Sequence, residues 1–167
     1  MVSELASVRI LILGIGNPIM GDDGVGIHVA RMVKDRLGSQ AGLEVKELGV
    51  GGLKLVEETL DHDEVYIVDS YATQDAEPGR IRESSPEQFE DTLHASSPHG
   101  TNFATALELY RGLEPQRIPK KIRIFTIDIK ADYAFRDSMS APVQEAALKL
   151  AELLAMEIQQ ASAHGTP

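Results

Sequence analysis

Two acids follow a glycine-rich stretch in Gly14-Ile15-Gly16-Asn17-Pro18-Ile19-Met20-Gly21-Asp22-Asp23-Gly24-Val25-Gly26. A third acid closes the apolar run Ile67-Val68-Asp69, and a histidine stands between proline and glycine in Ser97-Pro98-His99-Gly100. Asp23, Asp69 and His99 together make a set of two carboxylates and one imidazole. That donor set suits a divalent first-row metal and leaves coordination positions open for a substrate. Each residue also has a structural explanation. Acids in a first helical turn favour the positive end of the helix dipole by about 0.3–1 kcal/mol. An Asp at a strand end accepts backbone N–H groups of the next turn, and a His ahead of a helix can cap it or pack on it. Two acids held between Gly21, Gly24 and Gly26 are more than capping requires. His28, His62, His94 and His164 lack a comparable setting and receive no role; His94 is the nearest rival, because it shares the loop of His99.

A dinucleotide site is the first alternative for the glycine-rich loop, and the residues argue against it. The fingerprint G-x-G-x-x-G requires a third glycine where Ile19 stands. Asp22 and Asp23 would place negative charge where a pyrophosphate needs bare N–H groups. Glu47, at the end of a predicted strand, could imitate a ribose-binding acid, but it does not rescue the fingerprint.

The elements that must position these groups alternate along the chain. Residues 8–14 are β-branched and nearly continuously apolar, as in a strand buried on both faces of a parallel sheet. Asp22 to Leu37 reads as a helix with Val25, Val29, Met32 and Val33 on one stripe, ended by Gly38. Further strands are expected over 43–48, 64–69 and 122–129, with a short edge strand over 80–83. Helices are expected over 53–60, from Pro86 and from Thr101 or Asn102. Ser140 reads as the N-cap of a long last helix with Val143, Ala147, Leu150, Leu154 and Ile158 on one face, and residues 161–167 as a frayed tail. Alternation over the whole length implies an α/β three-layer sandwich: a mostly parallel twisted sheet with helices on both faces, in a single domain. In such sheets functional groups collect beyond the carboxyl ends of the strands, where all three motifs fall.

Composition narrows the partners. The chain has 167 residues, with 16 Lys plus Arg against 26 Asp plus Glu, for a net charge of −10. Nucleic-acid binding needs concentrated positive charge, so it is not expected. There is no Cys, which removes thiol nucleophiles and thiolate-held metals. The opening residues are polar and the apolar run behind them is too short to cross a bilayer, so a cytoplasmic domain without membrane contact is expected.

The motifs, in order, resemble a known family. Ile12-Leu13-Gly14-Ile15-Gly16-Asn17, continued by Asp22-Asp23-Gly24-Val25-Gly26, is similar to the opening of the nickel–iron hydrogenase maturation endopeptidases. Ile67-Val68-Asp69, Ser97-Pro98-His99 and Ser140 to Val143 follow as the later motifs do, colinearly from about Val8 to Leu154. The resemblance implies a protease that trims the C-terminal extension of a hydrogenase large-subunit precursor after nickel insertion, sensing the nickel the precursor carries. It places the family's metal-contacting and catalytic groups on Asp23, Asp69 and His99, with Asp23 where many relatives carry Glu. It implies nickel as the metal, with other divalent ions able to occupy the site. Gly16, Asn17 and Asp22 would contact the substrate chain, and a monomer would act on its large partner. Glu47-Leu48-Gly49 stands where the family commonly has Asp-Gly-Gly, which leaves the role of Glu47 open. Two other classes stay open: a non-catalytic nickel-dependent maturation chaperone, and a small-molecule or nucleoside-processing α/β enzyme.

Overall fold

The computed structural model describes residues 8–49, 51–72, 75, 77–91, 102–131 and 135–164. Its elements alternate as the sequence pattern requires. They are β1 (Ile10–Ile15), α1 (Val25–Leu37), β2 (Leu43–Leu48), α2 (Leu53–Thr59), β3 (Glu64–Ala72), β4 (Ile81–Ser84), α3 (Phe103–Leu113), β5 (Lys121–Ile129) and α4 (Ala141–His164). Short 3-10 turns at Gly21–Gly24, Pro86–Asp91 and Pro115–Arg117 complete the described path.

The strands form one sheet in the order β2-β1-β3-β5-β4. The pairs β1–β2, β1–β3 and β3–β5 are parallel, and the edge strand β4 runs antiparallel to β5. Alternate residues divide between two cores, because strand side chains point to opposite faces with a period of two. Ile10, Ile12, Tyr66, Val68, Phe125 and Ile127 pack under α1 and α4. Leu11, Leu13, Ile15, Val65, Ile67 and Ile124 pack under α2, α3 and the turn that carries Phe89. The three layers expected from sequence are therefore present. The apolar stripe of α4 is buried throughout: Val143, Ala147, Leu150, Leu154 and Ile158 are all fully covered.

Several boundaries differ from the sequence expectation. The helix expected from Asp22 begins at Val25, because Gly21–Gly24 winds as a 3-10 turn and Gly24 (φ −80°, ψ 4°) interrupts the α geometry. β3 does not stop at Asp69 but continues to Ala72, since β5 is long enough to pair with it up to Ala72–Ile129. The segment opened by Pro86 is a 3-10 turn over Pro86–Asp91 and not a longer helix. Residues 161–164 are the last turn of α4 and not a frayed tail; the Ala- and Gln-rich stretch before Gly165 has good helix propensity and no breaker. Asn102 caps α3 as expected, its side chain accepting the Thr105 N–H at 2.8 Å. No helix among the described residues is long and apolar enough to cross a membrane.

Candidate functional site

The chain runs from β1 to β2 on one side and then returns to place β3 on the other side of β1. The carboxyl ends of β1 and β3 therefore diverge into different connections, the topological switch point at which open α/β sheets bind ligands. Asp23 lies in the loop after β1 and Asp69 lies on β3, one residue past the last β1–β3 pair, Gly14–Val68. The two acids flank that switch point.

Glycines permit this approach. A Cβ on Gly26, in the first turn of α1, would lie 2.2 Å from the Val68 carbonyl oxygen and 2.4 Å from that of Ile15. A Cβ on Gly14 would lie 2.5 Å from the Gly26 carbonyl oxygen. Gly16, at φ +140°, would place one 2.1 Å from the carbonyl oxygen of Asp23. The start of α1 thus presses backbone to backbone against β1 and β3, which brings the acidic turn over the end of the sheet.

The two adjacent acids have different partners. Asp22 reaches across to α4: its carboxylate accepts the Ser140 N–H at 2.6 Å and the Ser140 hydroxyl at 2.8 Å. Ser140 is the residue before α4, and its carbonyl accepts the Gln144 N–H at 2.9 Å, as an N-cap residue does. Asp22 thus brings negative charge to the amino end of α4, where the dipole favours it. Asp23 is turned to the switch point. Its Oδ2 accepts the Asn17 N–H at 3.1 Å and its Oδ1 accepts the Ser70 hydroxyl at 3.2 Å. Asp69 is fully buried, and its Oδ1 accepts the Ser70 N–H at 2.7 Å. Sequence reasoning singled out both acids but not Ser70, the residue that links them. A hydroxyl directly after a strand acid was the available sign.

The loop over the site is braced from a second direction. Met20 and Arg136 form a parallel bridge, with the Gly21 N–H donated to the Arg136 carbonyl at 2.8 Å and the Arg136 N–H donated to the Ile19 carbonyl at 3.2 Å. Ile19 and Phe135 on these segments are 54% and 79% exposed, so the rim carries an apolar edge. Farther along the sheet a cavity of about 210 Å³ is lined by Tyr71, Arg82, Gln88 and Thr126. Thr126 is the register partner of Asp69, and Arg82 in turn pairs with Thr126, so one wall of the cavity is the strand neighbour of Asp69. Arg82 lies over the Tyr71 ring and holds the buried carboxylate of Asp128 through two 2.7 Å bonds.

Among the described residues, no group of three metal-ligating side chains converges. His99, like His94, lies outside the described residues. Asp23 and Asp69 each accept a hydrogen bond from Ser70, and Gly16 and Asn17 lie in the loop that contacts Asp23. Glu47 ends β2 in a bidentate pair with Arg31 at 2.8 and 2.9 Å. That pair holds the Glu47 carboxyl below its usual range.

His28 on α1 is partly buried beside this pair. Burial first, and then the Arg31 charge, lower its pKa, against an opposing pull from Glu47. The unfolded chain therefore binds the proton more tightly than the folded one. Stability linked to His28 is complete above the ordinary imidazole value of about 6.5 and declines as pH falls through the lower folded value. His28→Gln is expected to flatten that part of the curve, read as melting temperature against pH across that window.

Comparison with known proteins gives a consistent result. The family model described as hydrogenase maturation protease matches residues 27–157. The chain is 26% identical over 121 residues to the hydrogenase 2 maturation protease of Escherichia coli, covering 70% of this chain and 71% of that protein. Among solved structures it is similar to the hydrogenase maturating endopeptidase HybD of E. coli, at 21% identity and a TM-score of 0.74, covering 92% of this chain and 93% of that one. It is also similar to the hydrogenase maturation protease HycI of Thermococcus kodakarensis, at 24% identity and a TM-score of 0.66, covering 90% and 92%.

Proposed function

Because the chain belongs to the hydrogenase maturation protease family and is a peptidase, we propose that it removes the C-terminal extension of a nickel–iron hydrogenase large-subunit precursor once nickel is in place. In this reading Asp23, Asp69 and His99 contact the nickel that the precursor carries, so the metal belongs to the substrate. The observation that supports it best is the hydrogen-bonded unit of Asp23, Ser70 and Asp69 at the β1/β3 switch point. Two carboxylates joined through one serine would supply oxygen ligands for a divalent cation, and a histidine would add the nitrogen.

The rest of the site has roles that follow from its geometry. A peptide laid over the loop of Gly16 and Asn17 meets backbone held in place by the close approach of Gly16 to the Asp23 carbonyl. Asp22, with its carboxylate on Ser140, acts on the substrate by fixing the shape of this loop against α4. Ile19 and Phe135 offer an apolar edge to the docked chain, and the cavity at Thr126 offers room for a side chain near the reacting bond. A divalent metal beside a peptide can polarise its carbonyl or lower the pKa of water. We assign the reaction to a monomer in the cytoplasm, acting on one large partner and on neither nucleic acid nor membrane.

Mass spectrometry of the precursor before and after incubation tests the reading. The nickel-loaded precursor is expected to lose one C-terminal fragment, while nickel-free precursor, casein and unfolded peptides stay intact. His99→Ala is expected to abolish the cut and His94→Ala to leave it, which separates the two histidines of one loop. Binding of loaded precursor without shortening would mean a chaperone, and ready cleavage of nickel-free precursor would remove the metal-sensing step.

A further inference from the structure

We propose that Ser70 is a positioning residue that sets Asp23 and Asp69 relative to one another, through its hydroxyl on Asp23 Oδ1 at 3.2 Å and its N–H on Asp69 Oδ1 at 2.7 Å. The inference rests on the reading of those acids as the metal-contacting pair. Ser70 is 1% exposed, in the interior of a nine-residue strand. Serine is poorly suited to that place on packing grounds, since strands favour β-branched and aromatic residues. A buried hydroxyl needs a partner, and here the partner is the carboxylate brought over the sheet by the 3-10 turn.

The two bonds differ in what they require. Any residue at position 70 except proline can donate its backbone N–H to Asp69, so that bond survives substitution. The hydroxyl bond depends on serine. Without it Asp23 keeps the Asn17 N–H on Oδ2, a contact within its own loop, and loses the hydroxyl bond that joins it to β3. The setting of Asp23 relative to Asp69 would then loosen while the chain stayed folded. A carboxylate has about four acceptor sites, so holding a protein donor and ligating a cation are compatible. Partners of this kind orient ligands, and their removal typically costs about 10–100-fold in metal affinity or activity.

The test uses Co²⁺ as the probe on the full chain, with titration of its visible absorption, beside processing of nickel-loaded precursor. Ser70→Ala is expected to weaken Co²⁺ binding by about 10–100-fold and to slow processing by a similar factor, with circular dichroism unchanged. Ser70→Thr, which restores a hydroxyl, is expected to recover most of both. A folded Ser70→Ala whose Co²⁺ affinity and processing match the wild type overturns the proposal. If Ser70→Ala does not fold, the near-isosteric Ser70→Cys is measured in the same way: its weak S–H donor should give an intermediate loss, and no loss overturns the proposal. Asp69→Asn separates the two levels. Loss of Co²⁺ binding and processing there, with Ser70→Ala unaffected, removes only the role of Ser70; retention of both in Asp69→Asn removes the reading of the acids.

Discussion

Asp69→Asn is expected to stop precursor processing, by more than about 100-fold, while leaving the melting temperature nearly unchanged. The factor follows from rank: residues that merely orient a ligand cost about 10–100-fold when removed, so a direct ligand should cost more. The fold is expected to survive because the substitution keeps the shape and the amide oxygen can still accept the Ser70 N–H, the 2.7 Å bond that anchors Asp69 Oδ1. What changes is the second oxygen, which becomes an NH₂ donor and carries no negative charge. A cation cannot use that group as a ligand. Asp69 is fully buried in a sheet interior whose neighbours Val68 and Ile67 are core residues, so bulk water cannot stand in for the lost charge. The measurement is the fraction of loaded precursor shortened against time, with thermal denaturation as the control. Full activity in Asp69→Asn would show that the acid is structural; loss of activity with a large fall in melting temperature would leave the loss explained by unfolding.

The layered fold, and the places of Asp23 after β1 and Asp69 on β3, were legible in the sequence because they depend on local pattern. Six-residue apolar runs of β-branched type announce strands, and a stripe at helical spacing announces α1 and α4. The gathering of the motifs beyond strand ends follows from alternation and the general rule for open sheets, whereas the switch point between β1 and β3 rests on the strand order, which alternation does not fix. What was not legible depends on partners far apart in the chain. Asp22 and Asp23 are identical in type and adjacent, yet one holds the start of α4 across 118 positions and the other meets β3 across 47. No local rule separates them; the 3-10 geometry of Gly21–Gly24 does, by turning successive side chains to different sides. The length of β3 beyond Asp69 was hidden for a similar reason. Ser70, Tyr71 and Ala72 have no continuous apolar run, and they are extended because β5 pairs with them. The partner of Glu47 was also hidden, since Arg31 reaches it from the next helix turn of a different element.

Gly26→Ala is expected to be strongly destabilising, and its comparison with Gly112→Ala isolates the reason. Both glycines lie in helices, α1 and α3, where exchange for alanine should help by about 0.5–1 kcal/mol on propensity alone. At Gly112 a new Cβ meets nothing within 4 Å, so the propensity gain should appear as a small rise in melting temperature. At Gly26 the same atom would lie 2.2 Å from the Val68 carbonyl oxygen and 2.4 Å from the Ile15 carbonyl oxygen. These are backbone atoms of two paired strands and cannot step aside as a side-chain end can. The start of α1 must retreat from the sheet instead. Overpacking typically costs about 1–3 kcal/mol and occasionally more, and two rigid neighbours place Gly26→Ala at about 3 kcal/mol. For a chain of this size that lowers the melting temperature by about 6–12 °C. The same retreat lifts the acidic turn away from β3, which lengthens the Ser70–Asp23 contact and lowers processing below what the lost stability explains. Thermal denaturation of both variants, with processing measured well below either midpoint, checks the two effects separately. Equal stability of Gly26→Ala and wild type would mean that α1 does not press on the sheet as described, and the placement of Asp23 over the switch point would lose its cause.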